Sequence, residues 1–442
     1  MPGNNVVIVG GGFAGVATAK ALKHAEVQVQ LIDRRNHHIF QPLLYQVATA
    51  VLAPAEIAAP LRQLAQRQPN LSVLLGEVRD VDLGSRLVHV SLDGLPAKSV
   101  AFDYLVVAPG VRPTYFGHDE FAAFAPSLKT LTDAERIRAR ILGAYERAEQ
   151  TDDSTARSRA LTFVLVGAGP TGVELAASIA QMAKITLRSN FRRINPADTN
   201  IVLLDAAPRV LPTFNEGLST RAADRLKGLG VKVITGVTVE RVDSKGVSFT
   251  GGRIESDTIL WTAGVRASPL IERLGVKTDR AGRAIVGPNL HLPDHPEVFV
   301  IGDAAAVTQK EHALPGVAQV AIQQGRFVGE TIAALVNNRP STRTFRYGDR
   351  GNMAVVGKNF AVLERGSMRF SGLIVWLVWA MIHVMFLPLL QNRMRVQIQW
   401  LWSYFTGQRS SRLIPESSSV PIGNTAHPGA GAPTDAPPNR GS

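Results

Sequence analysis

No cysteine occurs anywhere in this chain, so no disulfide can brace it and no thiol can relay electrons. Every redox mechanism built on a dithiol is therefore excluded, and an oxidising compartment is not implied. Carboxylates are scarce too: 36 against 48 lysines and arginines, a net charge of +12. Such an excess suits nucleic acid, an anionic membrane surface or simply a basic protein, and where it sits decides among them. Between Arg365 and Pro415 there are six arginines and no acidic residue, with four of the five tryptophans (Trp376, Trp379, Trp400, Trp402) interleaved. Arginines and aromatics flanking an apolar run are membrane-interface chemistry, so no nucleic-acid partner is expected. Phe370–Leu390 holds 21 residues without a formal charge, just enough to span a bilayer. A single span would leave the later arginines on the far side. The stretch that follows has an amphipathic face of Met394, Ile398, Leu401, Trp402 and Phe405. Two helices lying in one leaflet are therefore expected, with a span, a dimer interface or a core helix as alternatives. The strand-like Val6–Val9 follows Met1 so closely that no targeting segment is expected.

What is present is a pattern written twice. Val6–Val9 leads into Gly10-Gly11-Gly12-Phe13-Ala14-Gly15 and an alanine-rich helix; Leu161–Val166 leads into Gly167-Ala168-Gly169-Pro170-Thr171-Gly172 and another helix. Each copy reads as strand, glycine turn, helix, the opening of a parallel βαβ unit. The first glycine permits the turn, the second lets backbone N–H groups reach a pyrophosphate, and the third lets helix and strand pack closely. A strand ending in Asp33 stands 23 residues after Gly10, near the expected spacing for a carboxylate on a ribose hydroxyl. In the second copy Asp205 stands 38 residues after Gly167, the excess falling in a helix extension and loop over Lys184–Asn200. Asp205 favours NADH over NADPH, since it would repel a 2′-phosphate; Arg209 nearby blurs that preference, and a strand-end turn residue is the plainer reading.

Two such turns imply two dinucleotides, most economically one FAD held permanently and one nicotinamide nucleotide that exchanges. FAD falls to the N-terminal turn because the chain returns there: Val298–Ile301 is a buried strand leading to Asp303, which can accept from a ribityl hydroxyl. The expected architecture is α/β. FAD-binding segments at 1–112 and 271–339 enclose an inserted NADH-binding domain at 113–270. An amphipathic helical membrane-binding region at 340–412 and a disordered tail at 413–442 complete it. No metal is expected.

These residues resemble the two-dinucleotide-binding-domain flavoprotein reductases, and most closely the type II, non-proton-pumping NADH:quinone oxidoreductases. The likeness spans about 1–412 and rests on Asn36–Val47 (NHHIFQPLLYQV), Gly167–Leu175 (GAGPTGVEL), Leu204–Leu211 (LDAAPRVL), Leu260–Val265 (LWTAGV), Val300–Ala304 (VIGDA) and Pro315–Gly325 (PGVAQVAIQQG), with the Trp-rich C-terminal segment. Pro109 departs from the family's usual Ala-Thr-Gly turn, which weakens any side-chain role there. The resemblance implies hydride transfer from NADH to FAD, then two electrons to a membrane quinone, ubiquinone or menaquinone, without proton pumping. It also implies a monotopic enzyme on the cytoplasmic face of a bacterial membrane, held by anionic lipid and with a homodimer as an option.

At the first site we expect Gly10, Gly11, Gly12, Phe13, Ala14, Gly15, Asp33, Arg34, Val78, Asp303, Ala318 and Gln319 around FAD. Gly167, Gly169, Pro170, Thr171, Gly172, Asp205 and Gly264 are expected around NADH. A helix starting near Gly316–Ala318, with small Ala318 and Ala321, would aim its N-terminus at the negative end of the flavin ring. Gln319 and Gln323 share one face of it while Gln324 points about 100° away. The resemblance places that face at the quinone, with surface glutamines as the plainer reading. Glu174 is expected in the first turn of the second-copy helix, where the dipole alone would favour a carboxylate; the resemblance adds an orienting or proton-transfer role. Gln46 and Thr49 read as lining the flavin or the quinone side. His37, His38 and His383 read as packed or solvated, with protonation of the quinol as the alternative. A soluble reductase of a protein acceptor and a non-catalytic NADH-sensing flavoprotein are the rival functions.

Overall fold

The computed structural model describes residues 4–339 and 343–414. All but the first two residues of the expected tail lie outside them.

Along the chain come β1 (Asn4–Val9), α1 (Phe13–Ala21), β2 (Val27–Asp33), α2 (Leu44–Ala48), β3 (Leu71–Leu75) and β4 (Tyr104–Val107). Then follow α3 (Leu131–Gln150), β5 (Thr162–Val166), α4 (Pro170–Gln181), β6 (Asn200–Asp205), α5 (Glu216–Gly228), β7 (Val231–Thr235) and β8 (Thr258–Trp261). The chain ends with β9 (His295–Val300), α6 (Ala318–Val336), α7 (Leu373–Phe386) and α8 (Leu390–Thr406).

Five of these strands form a parallel sheet in the order β9-β4-β1-β2-β3, with His291–Leu292 added antiparallel at the edge. A second sheet runs β7-β6-β5-β8, parallel throughout. Both are near-continuous apolar runs, as sheets covered on two faces must be. The repeat goes deeper than the glycine turns. Each sheet is interrupted in sequence by a three-stranded antiparallel meander, Glu77–Ala101 between β3 and β4 and Val239–Glu255 between β7 and β8. The chain leaves the first sheet and returns to it through a two-stranded ribbon, Val111–Pro113 paired antiparallel with Val265–Ala267.

Residues 352–372 make a third antiparallel sheet, from which α7 and α8 follow. This C-terminal region is built into the main core rather than laid on it. Val375, Trp379, Val384, Leu387 and Val396 join one buried cluster with residues of α2, α3, α4 and α5. Asn392 of α8 donates from Nδ2 to the carbonyls of Ala55 and Glu56, both at 2.9 Å, while Glu364 accepts from Asn215 N at 2.9 Å. The region thus ties down both halves of the molecule. No helix among the described residues is long and apolar enough to cross a membrane. The uncharged run expected from the sequence divides into a strand end, the 14-residue α7 and a break at Leu387–Pro388.

Helix α6 lies against α1 with glycines at the contact. A Cβ on Gly325 would stand 2.2 Å from Ala14 O, and one on Gly329 would stand 2.6 Å from Ala21 Cβ. Because α1 opens at the first glycine turn and α6 opens beside Asp303, this contact fixes two walls of one site. Gly325→Ala should therefore destabilise the protein by about 1–3 kcal/mol in chemical denaturation, the usual result of overpacking. Gly228→Ala, where a Cβ meets nothing within 4 Å, should stay within about 0.5 kcal/mol of wild type.

Candidate functional site

The two glycine turns have the same geometry. Gly10 and Gly167 take φ of +106° and +108°, and a Cβ on either would collide with the neighbouring strand end, 2.2 Å from Ala108 O and 2.6 Å from Ala263 N. A Cβ on Gly15 or Gly172 would fall 1.9 or 1.8 Å from the carbonyl oxygen of the first glycine. At Gly12 and Gly169, by contrast, a Cβ would meet nothing within 4 Å. Those residues are the N-caps of α1 and α4, and neither helix has a side-chain cap bond. Both helix N-termini thus present N–H groups to open space, the arrangement that receives a phosphate.

The two strand-end carboxylates make equivalent contacts with their glycine turns. Asp33 is buried and accepts from Gly11 N at 2.6 Å and Arg35 N at 2.8 Å. Asp205 accepts in the same way from Ala168 N and from Ala207 N. Each carboxylate oxygen retains a lone pair for a hydroxyl. Arg34 is exposed, and Arg35 is the one that approaches Asp33, at 3.7 Å. Arg209 is committed to the carbonyls of Pro212 and Phe214, both at 3.1 Å. Phe13 stacks edge-on against His38 and Phe40, and Val78 is half-buried in the first strand of the meander, packed against the core. Gly264 takes φ +70° beneath Phe116, where a Cβ would be 2.4 Å from the ring.

Asp303 lies in the short turn after β9, its carboxyl facing Gly316 just ahead of α6. It makes no hydrogen bond among the described residues, and burial raises its pKa while Lys129 opposes that shift. Lys129, a residue the sequence did not single out, is itself held below its usual pKa by burial. Helix α6 starts at Ala318 without a side-chain cap. The buried Gln324 accepts from Gly302 N at 2.6 Å and so fixes the turn carrying Asp303. Gln319 and Gln323 do share a face, and that face holds a backbone segment: Gln319 Nε2 donates to Gly351 O at 2.7 Å, and Gln323 exchanges two bonds with Gly348 at 3.0 and 2.9 Å.

Glu174 lies beyond the first turn of α4, which has no acidic residue. The dipole therefore does not account for it, since that effect fades within one turn. Its carboxyl accepts from Val355 N at 3.3 Å and faces a cavity of about 140 Å³. Tyr45, Gln46, Trp376, Trp379, Trp400 and Arg409 also line this cavity. Desolvation there pushes the Glu174 pKa up to about 8, the single backbone bond opposing it weakly. Gln46 donates to Tyr45 Oη at 3.1 Å and accepts from Trp400 Nε1 at 2.7 Å. Thr49 is instead structural: its Oγ1 meets Ser178 Oγ at 2.8 Å, and its carbonyl accepts from Arg409 at 2.7 Å. Arg409 also donates to Ser178 O at 3.0 Å, so one buried guanidinium staples α2's end to α4; burial lowers its pKa to about 10.

The histidines are packed. His38 Nδ1 meets Gly11 O at 2.9 Å, and His37 Nδ1 meets Asn36 Oδ1 at 2.8 Å. His383 stacks on Trp379 and bonds its carbonyl at 2.7 Å, burial lowering its pKa to about 4. No cluster among the described residues could hold a metal ion.

Two glycine turns of equivalent geometry match what comparison finds. The family model described as pyridine nucleotide-disulphide oxidoreductase matches residues 4–325. The type II NADH:quinone oxidoreductase Ndh of Mycobacterium tuberculosis is 43% identical over 427 residues, covering 94% of this chain and 91% of that protein. This chain belongs to the type II NADH:quinone oxidoreductase family. NdhA of the same organism is also 43% identical, covering 93% of this chain and 89% of its own length. The solved structure of NDH2 from Plasmodium falciparum in complex with NADH shares the fold, with a TM-score of 0.84 at 18% identity over 92% of this chain and 99% of that one. Family membership implies a flavin and NADH, and the two turns fit both. The disulphide in the broader family's description has no counterpart here, because there is no cysteine.

A carboxyl that keeps its proton to about pH 8 when folded, but ionises near 4.5 when unfolded, makes the native state the better proton binder between those values. Stability should therefore fall as pH rises through that window, by at most about 1.4 kcal/mol per pH unit. Glu174→Gln should remove this slope. Thermal midpoints of variant and wild type should diverge from about pH 5 upward and run parallel above about pH 8. Curves that stay parallel throughout would show that Glu174 ionises normally.

Proposed function

We propose that this chain oxidises NADH at an FAD held by the first glycine turn and delivers two electrons to a membrane quinone. The observation that carries this reading is the aromatic-walled cavity holding Glu174, which lies between the second glycine turn's helix and the C-terminal helices. The division of labour we infer is FAD on 1–112 and 271–339, NADH on 113–270 and membrane contact on 340–412.

When bound, FAD supplies the ring that accepts a hydride and passes electrons on one side to the other. Gly10–Gly15 and the α1 N-terminus would hold its pyrophosphate, Asp33 its ribose, Val78 its adenine through the backbone, and Asp303 its ribityl chain. The uncapped N-terminus of α6 at Ala318 would favour negative charge on the ring. Gly167–Gly172 and the α4 N-terminus would seat NADH, with Asp205 on the ribose and Gly264 closing the far side. Glu174 would keep a proton at neutral pH on the cavity wall, available to a reduced quinone oxygen. Gln46 presents an amide to the same cavity. Gln319 and Gln323 would act on the acceptor side mainly through the 348–351 segment they hold, since direct contact would break a 2.7 Å bond.

The reading also explains the outer surface of the C-terminal helices. Ile374, Leu377, Met381 and Met385 of α7 and Met394, Ile398, Leu401, Trp402 and Phe405 of α8 are all more than half exposed. A patch of this extent marks an interaction surface, and beside arginines we read it as one that lies in a single leaflet of the cytoplasmic membrane face. The test begins with steady-state NADH oxidation by the FAD-loaded protein in liposomes. NADH should support rapid reduction of quinones, with kcat/KM at least about tenfold above NADPH, a difference of about 1.4 kcal/mol. Equal values would remove Asp205 from its assigned role, and no quinone reduction would defeat the proposal. Because α7 and α8 also fill the core, surface substitutions test the membrane contact better than truncation. Ile398→Glu with Leu401→Glu should release the protein from liposomes and impair reduction of long-tailed quinones, while flavin reduction by NADH in stopped flow stays unchanged. Retention of the variant on liposomes would overturn the membrane reading.

A further inference from the structure

Beside the aromatic cavity lies a second depression, of about 340 Å³, that the mechanism does not use. Its charged lining residues are Lys184, Arg225 and Lys358, and no carboxylate lines it. The three come from separate elements. Lys184 stands on a π-helical turn over Met182–Thr186 that continues α4, Arg225 on α5, and Lys358 in the turn between the first two strands of the C-terminal sheet. Arg225 and Lys358 are held by hydrogen bonds, while Lys184 is exposed. Lys184 Nζ occupies the space beside Gly230, where a Cβ would come within 2.7 Å of it. Arg225 Nη2 donates to Lys358 O at 2.8 Å, and Lys358 Nζ donates to Tyr404 O at 2.7 Å. The Nε of Arg225 is buried and has no partner. A guanidinium and two ammonium groups lining one depression without a carboxylate are a donor set for oxyanions, with the fork of arginine and the point charges of lysine combined.

The apolar surface identifies the anion's carrier. Ile185, adjacent to Lys184 and about half exposed, lines both this depression and the aromatic cavity. Ser403, Tyr404 and Gly407, at the end of α8, line the cavity beside it. The depression therefore sits at the rim of the exposed face ending in Trp402 and Phe405.

We propose that Lys184, Arg225 and Lys358 form a binding site for the phosphate of an anionic phospholipid headgroup. This rests on the membrane reading above, so the test separates the two. FAD-loaded wild type, Lys184→Gln, Lys184→Glu and Arg225→Lys are compared by flotation with vesicles of phosphatidylcholine alone and vesicles that also contain phosphatidylglycerol. The exposed Lys98→Glu, on the meander of the first domain, serves as a charge-matched control. Matched thermal midpoints and flavin content establish folding.

Wild type should prefer the anionic vesicles. Lys184→Gln should lose about fivefold of that preference and Lys184→Glu about thirtyfold, from about 1 kcal/mol per unit charge near such a surface. Arg225→Lys, which keeps the charge and loses the fork, should fall in between. Binding to phosphatidylcholine should be equal in all of them. Full preference in the Lys184 variants, or an equal loss in Lys98→Glu, would overturn the site in favour of diffuse attraction. Inorganic phosphate, added at constant ionic strength, should leave the preference intact; its abolition at millimolar phosphate would reassign the depression to soluble phosphate and overturn the lipid proposal. A wild type that ignored both kinds of vesicle would defeat the membrane reading itself.

Discussion

In each half of the molecule the carbonyl oxygen of one glycine occupies the space where a side chain five residues later would begin. A Cβ at Gly15 or Gly172 would lie less than 2 Å from that oxygen. This close approach lets α1 and α4 start directly on top of β1 and β5, with their free N–H groups over the open second glycine. Everything downstream depends on it. The same turn sets the distance from helix N-terminus to Asp33 or Asp205. It also fixes where α6 must pass, because α6 packs on α1 through glycines of its own. The molecule satisfies this constraint twice, and the repeated sheet and meander show the whole unit repeated around it.

The second structural commitment is the seam between the halves. A buried arginine without a carboxylate costs several kcal/mol unless its protons are received. Arg409 spends two of them on the carbonyls of Thr49 and Ser178, one on each side of the seam. Thr49 and Ser178 are joined directly as well. The C-terminal chain therefore acts as a pin through the interface, and the cavity beside it keeps its shape because both walls are pinned. The same low-dielectric seam that makes Arg409 expensive holds Glu174 protonated. The stability device and the chemical one thus share a cause.

How much of this was legible in the sequence follows from locality. The glycine turns, Asp33, Asp205, Asp303 and the start of α6 depend on residues close together in the chain, and each stands where spacing put it. Gln319 and Gln323 were legible as one helix face, because i and i+4 fix that; what the face meets, the 348–351 segment, is a tertiary fact no periodicity contains. Glu174 was misplaced by one position, enough to replace a dipole account with a desolvation account. The cavity was not legible at all. Its walls come from Tyr45, Glu174, Lys358, Trp376, Trp400 and Arg409, which only the fold brings together. Arg409 reads in sequence as one of six arginines at a membrane interface, whereas the fold buries it.

The two C-terminal helices expose apolar surface in different ways. Helix α8 carries an apolar stripe that is itself exposed, whereas α7 is apolar on both its inner and outer faces. Trp376 and Trp379 of α7 turn inward to the cavity while Ile374, Leu377, Met381 and Met385 turn outward. The same short helix thus serves as wall to a buried carboxyl on one side and presents exposed apolar side chains on the other. In the proposed function NADH comes from water and the quinone from lipid, and a helix apolar on both faces can stand between the two. The C-terminal region is in any case part of the core and not an appendage to it, since Val375, Trp379, Val384, Leu387 and Val396 are buried in it.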